Sequence, residues 1–92
     1  MRCELKVHEL KSWPESFAAI KAGQKTHELR RADRDFQLGD VLLLREYDPK
    51  GERYSGQSLR VVITFMTTEA TSCAISKQAL APGYSILSVK LA

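Results

Sequence analysis

The chain has 92 residues, enough for one small domain, and its 43% apolar and 27% charged residues argue against intrinsic disorder. No uninterrupted apolar run exceeds four residues, so we expect no transmembrane helix, and the N-terminus lacks the apolar segment of a signal peptide. Two cysteines, Cys3 and Cys73, are too few for a disulfide scaffold, which favours a reducing, cytoplasmic location.

The positive charge of the chain is concentrated in one segment. Lys and Arg number 14 against 11 Asp and Glu, which gives a net charge of +3 with neutral histidines. Residues 21–34 hold five basic and two acidic residues, so this window alone carries a surplus equal to that of the whole chain. A surplus of three charges is common on solvated surfaces, so composition alone does not identify a partner.

Alternating apolar residues predict most of the strands. A short, half-buried first strand is predicted around Leu5 and Val7, whose neighbours are polar, and Cys3 extends the pattern. Longer strands are predicted at residues 41–47, 59–66 and 84–91. The first two of these should form a hairpin around the turn at 48–51, with a further break at 55–56. Residues 67–81 show no clear period.

A helix is predicted over residues 13–22. Ser12 and Glu15 fit the S-x-x-E capping box, in which a serine caps the first turn, and Gly23 suits a left-handed helix end. The apolar face of the helix, at i, i+4 and i+7, consists of Trp13, Phe17 and Ile20. This face most simply packs against the core.

Residues 25–31 should form a strand that has no apolar face. Alternation puts three side chains on one side, Thr26, Glu28 and Arg30. The other side carries Lys25, His27, Leu29 and Arg31. Strands in small domains usually bury one face. The segment is therefore either a solvated edge strand, whose charges prevent aggregation, or a strand whose polar face lines a site.

Together these elements predict a single α+β domain spanning residues 1–92. It has about five strands, mostly antiparallel because most connections are short, and one main helix after the first strand. The sheet is expected to be small and barrel-like.

Several kinds of chemistry find little support in the sequence. His8, His27, Cys3 and Cys73 lack the close spacing of metal-ligand pairs, so we predict no metal site. Nothing beside either cysteine indicates a lowered thiol pKa. The glycines are scattered rather than grouped into a phosphate-binding loop, and we expect no cofactor.

The segment after Gly23 offers a more informative group of side chains. Lys25 could hold a phosphate as a point charge, and Arg30 could bind a phosphate with two hydrogen bonds or stack on a base. Glu28 could accept hydrogen bonds from base amino groups or act as a general base. The same three residues could equally form a structural ion-pair network.

The arrangement Gly23-x-Lys25-x-x-Glu28-x-Arg30 after a helix resembles the G-x-K-x-x-E-x-R signature of ASCH domains, relatives of the PUA RNA-binding fold. The following Phe36-x-x-Gly39-Asp40-x-x-x-x-Arg45-Glu46 is similar to the next strand entry of that family. Further segments are similar to a small bacterial and phage subfamily of the group: His8-x-Leu10-Lys11-x-Trp13-Pro14, Glu46-Tyr47-Asp48, Tyr54-x-Gly56 and Pro82-Gly83-Tyr84. The resemblance runs from about residue 6 to residue 91.

The resemblance implies a small β-barrel with a cleft whose floor carries the motif residues, and a function in binding RNA or modified nucleosides. One branch of the family resembles amidohydrolases that remove an acyl group from N4 of cytidine, and another shows ribonuclease activity. In the amidohydrolase branch the lysine that matches Lys25 works with a threonine three positions later and a distal glutamate. Here Glu28 stands at that position, the only nearby threonine is Thr26, and Glu69 is the only carboxylate after Glu52. The nucleophile therefore does not carry over.

Three hypotheses follow. In the first, the domain binds RNA or a modified nucleotide through Lys25, Thr26, Glu28 and Arg30. Side chains at the rim of this site would be His8, Lys11 and Arg34, with the edge of Trp13 as a stacking surface. In the second, a small hydrolase uses Lys25 to position or activate the attacking group and Glu28 as a general base. In the third, the chain is an accessory interaction domain without catalysis. Oligomeric state is left open.

Overall fold

The computed structural model describes residues 4–70 and 78–92. Its elements in chain order are β1 (Val7–Ser12), α1 (Pro14–Lys21), β2 (His27–Arg31), β3 (Val41–Asp48), β4 (Arg53–Thr67) and β5 (Tyr84–Leu91). The strands form one five-stranded sheet in the order β1-β3-β4-β5-β2, curved into a half-barrel. No helix of the described residues is long and apolar enough to cross a membrane.

The predicted α+β class with a mostly antiparallel sheet is confirmed. The pairs β3–β4, β4–β5 and β2–β5 are antiparallel, and β1 pairs with β3 in parallel. The parallel pair arises because the chain passes through α1 and β2 before it returns beside β1. As a result, β1 and β2 are the two edge strands of the sheet.

The first strand lies further along the chain than predicted, and its faces are reversed. Val7 is 55% exposed, whereas the buried side chains of β1 are those of His8, Leu10 and Ser12. The cause is a buried carboxylate, that of Asp40. Its Oδ1 accepts a hydrogen bond from Lys6 N (3.0 Å), and its Oδ2 lies 2.7 Å from His8 Nε2. Cys3 lies outside the described residues.

The helix begins one residue later than predicted, and the capping box is wrong. Ser12 is still part of β1, and Trp13 is the N-cap, with φ −63° and ψ 148° and no side-chain hydrogen bond to the helix. Pro14 fills the first helical position, where its missing N–H costs nothing. Phe17 and Ile20 are buried as predicted, but Trp13 does not share their buried face and is half exposed.

The β3–β4 hairpin is confirmed, but the predicted break at 55–56 is wrong. Residues 53–67 form one long strand, and Gly56 (φ +94°) lies within it. The pairing changes from Arg45–Ser58 to Tyr47–Tyr54 around this glycine, so it permits a β-bulge rather than ending the strand. The last strand matches its prediction, and residues 71–77 of the segment without a clear period lie outside the described residues.

The core lies between the concave face of the sheet and α1. Its buried side chains are Leu10, Phe17, Ile20, Phe36, Leu42, Leu44, Val61, Ile63, Leu87 and Val89. Every strand except β2 contributes to this cluster. The inward positions of β2 are therefore available for polar side chains.

Candidate functional site

The two edge strands approach each other on the open side of the half-barrel, where arginine side chains join them. Arg30 of β2 donates from Nη2 to the carbonyl oxygen of Lys11 on β1, at 2.8 Å. Arg34, just after β2, donates from Nη1 to the carbonyl oxygen of Glu9, at 3.0 Å. Both carbonyl oxygens lie on the outer edge of β1, where no neighbouring strand pairs with them. The two arginine side chains satisfy these backbone acceptors.

A cleft of about 290 Å³ lies at this junction, between the end of β1, the first turn of α1 and β2. Its lining residues are Lys11, Ser12, Trp13, Ser16, Glu28, Leu29 and Arg30. Lys11, Ser12, Trp13 and Ser16 come before the G-x-K-x-x-E-x-R motif in the chain. Glu28 and Arg30 are residues of the motif, and Leu29 lies between them. The cleft thus combines parts of two of the chain segments that carried the family resemblance, those around Trp13 and around Glu28.

Glu28 and Arg30 share the inward face of β2, as the alternation predicted. Arg30 donates from Nε to Glu28 Oε2 at 3.0 Å; the side chain of Glu28 is 6% exposed and that of Arg30 is 26% exposed. The strand lies at an edge of the sheet, as one interpretation of residues 25–31 predicted, and its inward polar side chains line a cleft. Whether this cleft is a binding site stays a prediction.

Two buried polar atoms in this cleft have no hydrogen-bond partner among the residues that the structure describes. They are Glu28 Oε1 and Ser12 Oγ. A buried carboxylate oxygen without a donor costs about 1–3 kcal/mol or more, and most buried polar atoms of native proteins are paired. Both atoms are covered in this structure, so a ligand that brings hydrogen-bond donors reaches them when the side chains of Glu28 and Ser12 turn toward the cleft.

Lys25 reaches the cleft from outside its lining, through Ser16. Its Nζ donates to Ser16 Oγ at 2.5 Å, which connects the segment before β2 with the first turn of α1. Both side chains are half buried. Sequence reasoning missed Ser16 because an unremarkable serine in a helical segment shows no pattern. The helix end at Gly23 turns the chain back and makes the contact, which needs the fold to be known.

Trp13 stands at the rim of the cleft and is 51% exposed. Its ring centroid lies 5.9 Å from that of Tyr47 on β3. Lys11 Nζ lies 4.2 Å from the centre of the same tyrosine ring. The predicted rim positions of Lys11 and Trp13 therefore have a cation and an exposed aromatic surface side by side.

Three further predicted site residues lie away from this cleft. His8 is buried, contacts Asp40 and packs its ring 4.8 Å from that of Phe36, so it supports the fold beneath β1 instead of forming a rim. Arg34 lines a different depression, near residues 66–70 and 83–85. Thr26 lines a separate pocket between the end of α1 and β5, next to Lys25, and its carbonyl oxygen accepts a hydrogen bond from Val89 N.

These features define a small α+β half-barrel protein with a polar cleft between its edge strands. The family model described as "Domain of unknown function (DUF3850)" matches residues 7–89, and the chain belongs to this family.

Two further proteins are similar to the chain. The "Uncharacterized 12.9 kDa protein in GpA 3'region" of Escherichia phage P2 is 38% identical over 42 residues, which are 46% of this chain and 38% of the relative. The match thus spans well under half of that relative. The crystal structure of hypothetical protein PH0355 aligns with a TM-score of 0.61 at 14% identity, over 96% of this chain and 100% of that one. The second similarity supports the fold alone.

Proposed function

We propose that the cleft binds RNA or a modified nucleoside or nucleotide. The observation that carries the proposal is the buried oxygen Glu28 Oε1, which has no donor among the described residues although the other oxygen of the same carboxylate is held by Arg30. A purely structural ion pair would use both oxygens or expose one of them to water. A base amino group, a ring N–H or a ribose hydroxyl supplies the missing donor once the Glu28 carboxylate turns toward the cleft.

The other residues of the cleft complement such a ligand. Ser12 Oγ offers a second hydrogen bond at the floor. Arg30 and Lys11 bring positive charge for a phosphate, and the exposed ring of Trp13 offers a face for stacking. The combination of an acceptor at depth with cations and an aromatic ring at the rim suits a nucleotide better than a purely anionic or purely apolar ligand.

We also propose that the chain is a member of the ASCH group of PUA-like domains. Glu28 and Arg30 of the motif line one cleft, and Lys25 bonds to Ser16 of the same cleft. This convergence supports a ligand site over the accessory-domain hypothesis, in which these side chains would point separately into solvent. The cytoplasmic location stays a prediction from the sequence.

The single tryptophan of the chain is a built-in probe for this proposal. Trp13 fluorescence is titrated at low salt with single-stranded RNA, nucleoside monophosphates and modified nucleosides. We expect saturable quenching, with RNA affinity that falls as salt rises because phosphate contacts release counterions. Arg30→Ala should weaken binding. If neither fluorescence nor filter retention detects RNA or nucleotide binding, the proposal is wrong.

A hydrolase remains a second candidate, because the bond between Lys25 and Ser16 supplies the hydroxyl that the family comparison left unassigned. Lys25 would position the attacking group and Glu28 would act as a general base. The test is incubation with N4-acetylcytidine and with single-stranded RNA, followed by chromatography. Loss of product formation in both Ser16→Ala and Glu28→Gln supports this candidate, and full turnover in either variant contradicts the assigned roles.

A further inference from the structure

Three aromatic rings form a continuous strip that begins at the cleft and leads away from it. We define this aromatic strip as Trp13, Tyr47 and Tyr54. The centroids of Trp13 and Tyr47 are 5.9 Å apart, and those of Tyr47 and Tyr54 are 5.0 Å apart. Trp13 and Tyr54 are both exposed, and Tyr47 between them is half buried.

The local fold explains why the strip exists. Trp13 is the N-cap residue of α1 and has an extended backbone conformation, so its side chain does not share the core face of the helix. Its ring lies beside that of Tyr47 in the β3–β4 hairpin. Tyr47 and Tyr54 are direct cross-strand partners at the bulged end of the β3–β4 hairpin. Half-exposed rings contribute less to stability than rings in the core, since much of their area stays in water. Stabilising the fold therefore accounts for only part of this arrangement.

Cations accompany the strip along its length. Lys11 Nζ lies 4.2 Å from the centre of the Tyr47 ring, and Arg45 Cζ lies 4.0 Å from the centre of the Tyr54 ring. Arg45 also pairs with Glu9 at 2.7 Å, but both side chains are well exposed. Exposed ion pairs are weak, so a phosphate can replace this carboxylate at little cost.

The strip is continuous with the cleft because Trp13 belongs to both, and because Lys11, whose Nζ lies over the Tyr47 ring, also lines the cleft. Aromatic rings that alternate with cations are typical of grooves that bind single-stranded nucleic acid, where bases stack and phosphates meet the cations. Paired bases in a duplex present no free face to such rings. A peptide that added a strand at the β1 edge would find two of its carbonyl oxygens, those of Glu9 and Lys11, already bonded to Arg34 and Arg30.

We propose that the ligand is a single RNA strand longer than one nucleotide. This inference rests on the nucleotide binding proposed above. One nucleotide occupies the cleft at Glu28, and its neighbours stack along the aromatic strip to Tyr54. The strip thereby gives the protein a preference for oligonucleotides over free nucleotides.

The test compares the affinities of a nucleoside monophosphate, a single-stranded hexanucleotide and a duplex, measured by competition against a labelled hexanucleotide. We expect the hexanucleotide to bind at least tenfold more tightly than either of the others. Tyr54→Ala should lower hexanucleotide affinity about tenfold and leave monophosphate affinity unchanged, because it removes one stacking platform outside the cleft. Tyr54→Phe, which keeps the ring, should restore the affinity.

Phe65→Ala is the matched control, because Phe65 is an aromatic residue of the same strand, 59% exposed and near its opposite end. It should leave both affinities unchanged. Equal affinities for monophosphate and hexanucleotide, or a hexanucleotide affinity that Tyr54→Ala leaves intact, would overturn this inference while the nucleotide site stands. Tighter binding of a duplex or an acidic peptide would also overturn it. If no nucleotide of any length binds, the proposed function falls as well.

Discussion

Replacing the carboxylate of Glu28 by an amide shows whether this residue belongs to a ligand site or only to a structural ion pair. Glu28→Gln keeps the shape of the side chain and removes its charge. The side chain is 6% exposed, with Oε2 held by Arg30 Nε at 3.0 Å and Oε1 unpaired among the described residues. A site that is shaped for a ligand should tolerate this change in the unbound protein better than in the complex.

The magnitude follows from two opposing effects on the unfolding free energy. Weakening the charge-assisted hydrogen bond to Arg30 costs about 1–2 kcal/mol, and replacing a buried, unpaired carboxylate oxygen by a neutral but still unpaired NH2 group recovers only part of that cost. We therefore expect the unfolding free energy to fall by no more than about 2 kcal/mol. In the complex, the amide that keeps its oxygen on Arg30 turns an NH2 group toward the donor of the ligand. Loss of that hydrogen bond should lower affinity about 10- to 100-fold.

Both quantities are measurable through the fluorescence of Trp13, by urea unfolding and by titration with single-stranded RNA. Glu15→Gln is the control, because this exposed helix residue loses the same charge without lining the cleft. It should change affinity less than threefold. If Glu28→Gln lowers the unfolding free energy by more than about 3 kcal/mol and leaves RNA affinity unchanged, Glu28 is a structural residue and the reasoning fails.

Further variants test other parts of the structure. Arg34→Ala should lower the unfolding free energy by roughly 1 kcal/mol without changing RNA affinity. Arg30→Ala should lower both the unfolding free energy and the RNA affinity. If the two variants bind RNA equally well, the cleft is not the binding site. Asp40→Ala should lower the unfolding free energy by about 3–5 kcal/mol in urea, because it removes the acceptor of Lys6 N, of Gln37 N and of His8; a loss under 1 kcal/mol would contradict that role. Leu44→Ala should cost about 2–5 kcal/mol in the same assay, and a smaller loss would mean that the core collapses around the deleted side chain.

Local periodicity was sufficient to predict much of the fold. The apolar alternation of residues 84–91, the helix face of Phe17 and Ile20, and the hairpin turn near Pro49 depend on neighbours close in sequence. Such patterns are set by side-chain burial with periods of 2 and 3.6 residues. The shared inward face of Glu28 and Arg30 was predictable for the same reason.

The features that sequence reasoning missed depend on contacts between distant segments. The faces of β1 are set by Asp40, which lies 32 residues from His8 and makes a buried hydrogen bond to it. Ser12 looked like a helix cap, but pairing of β1 with β3 keeps it in the strand and leaves its hydroxyl buried and unpaired among the described residues. The meeting of Ser16 with Lys25 likewise requires the turn after α1. A single sequence holds no local signal for these contacts.

Chemical-shift mapping by NMR, with a short single-stranded RNA added to the ¹⁵N-labelled protein, shows directly whether the cleft between β1, α1 and β2 binds this ligand. We predict that backbone amides of residues 11–16 and 28–30 shift the most, with smaller shifts near residues 47 and 54. Shifts confined to the depression around residues 66–70, or no shifts at saturating RNA, would contradict binding in the cleft.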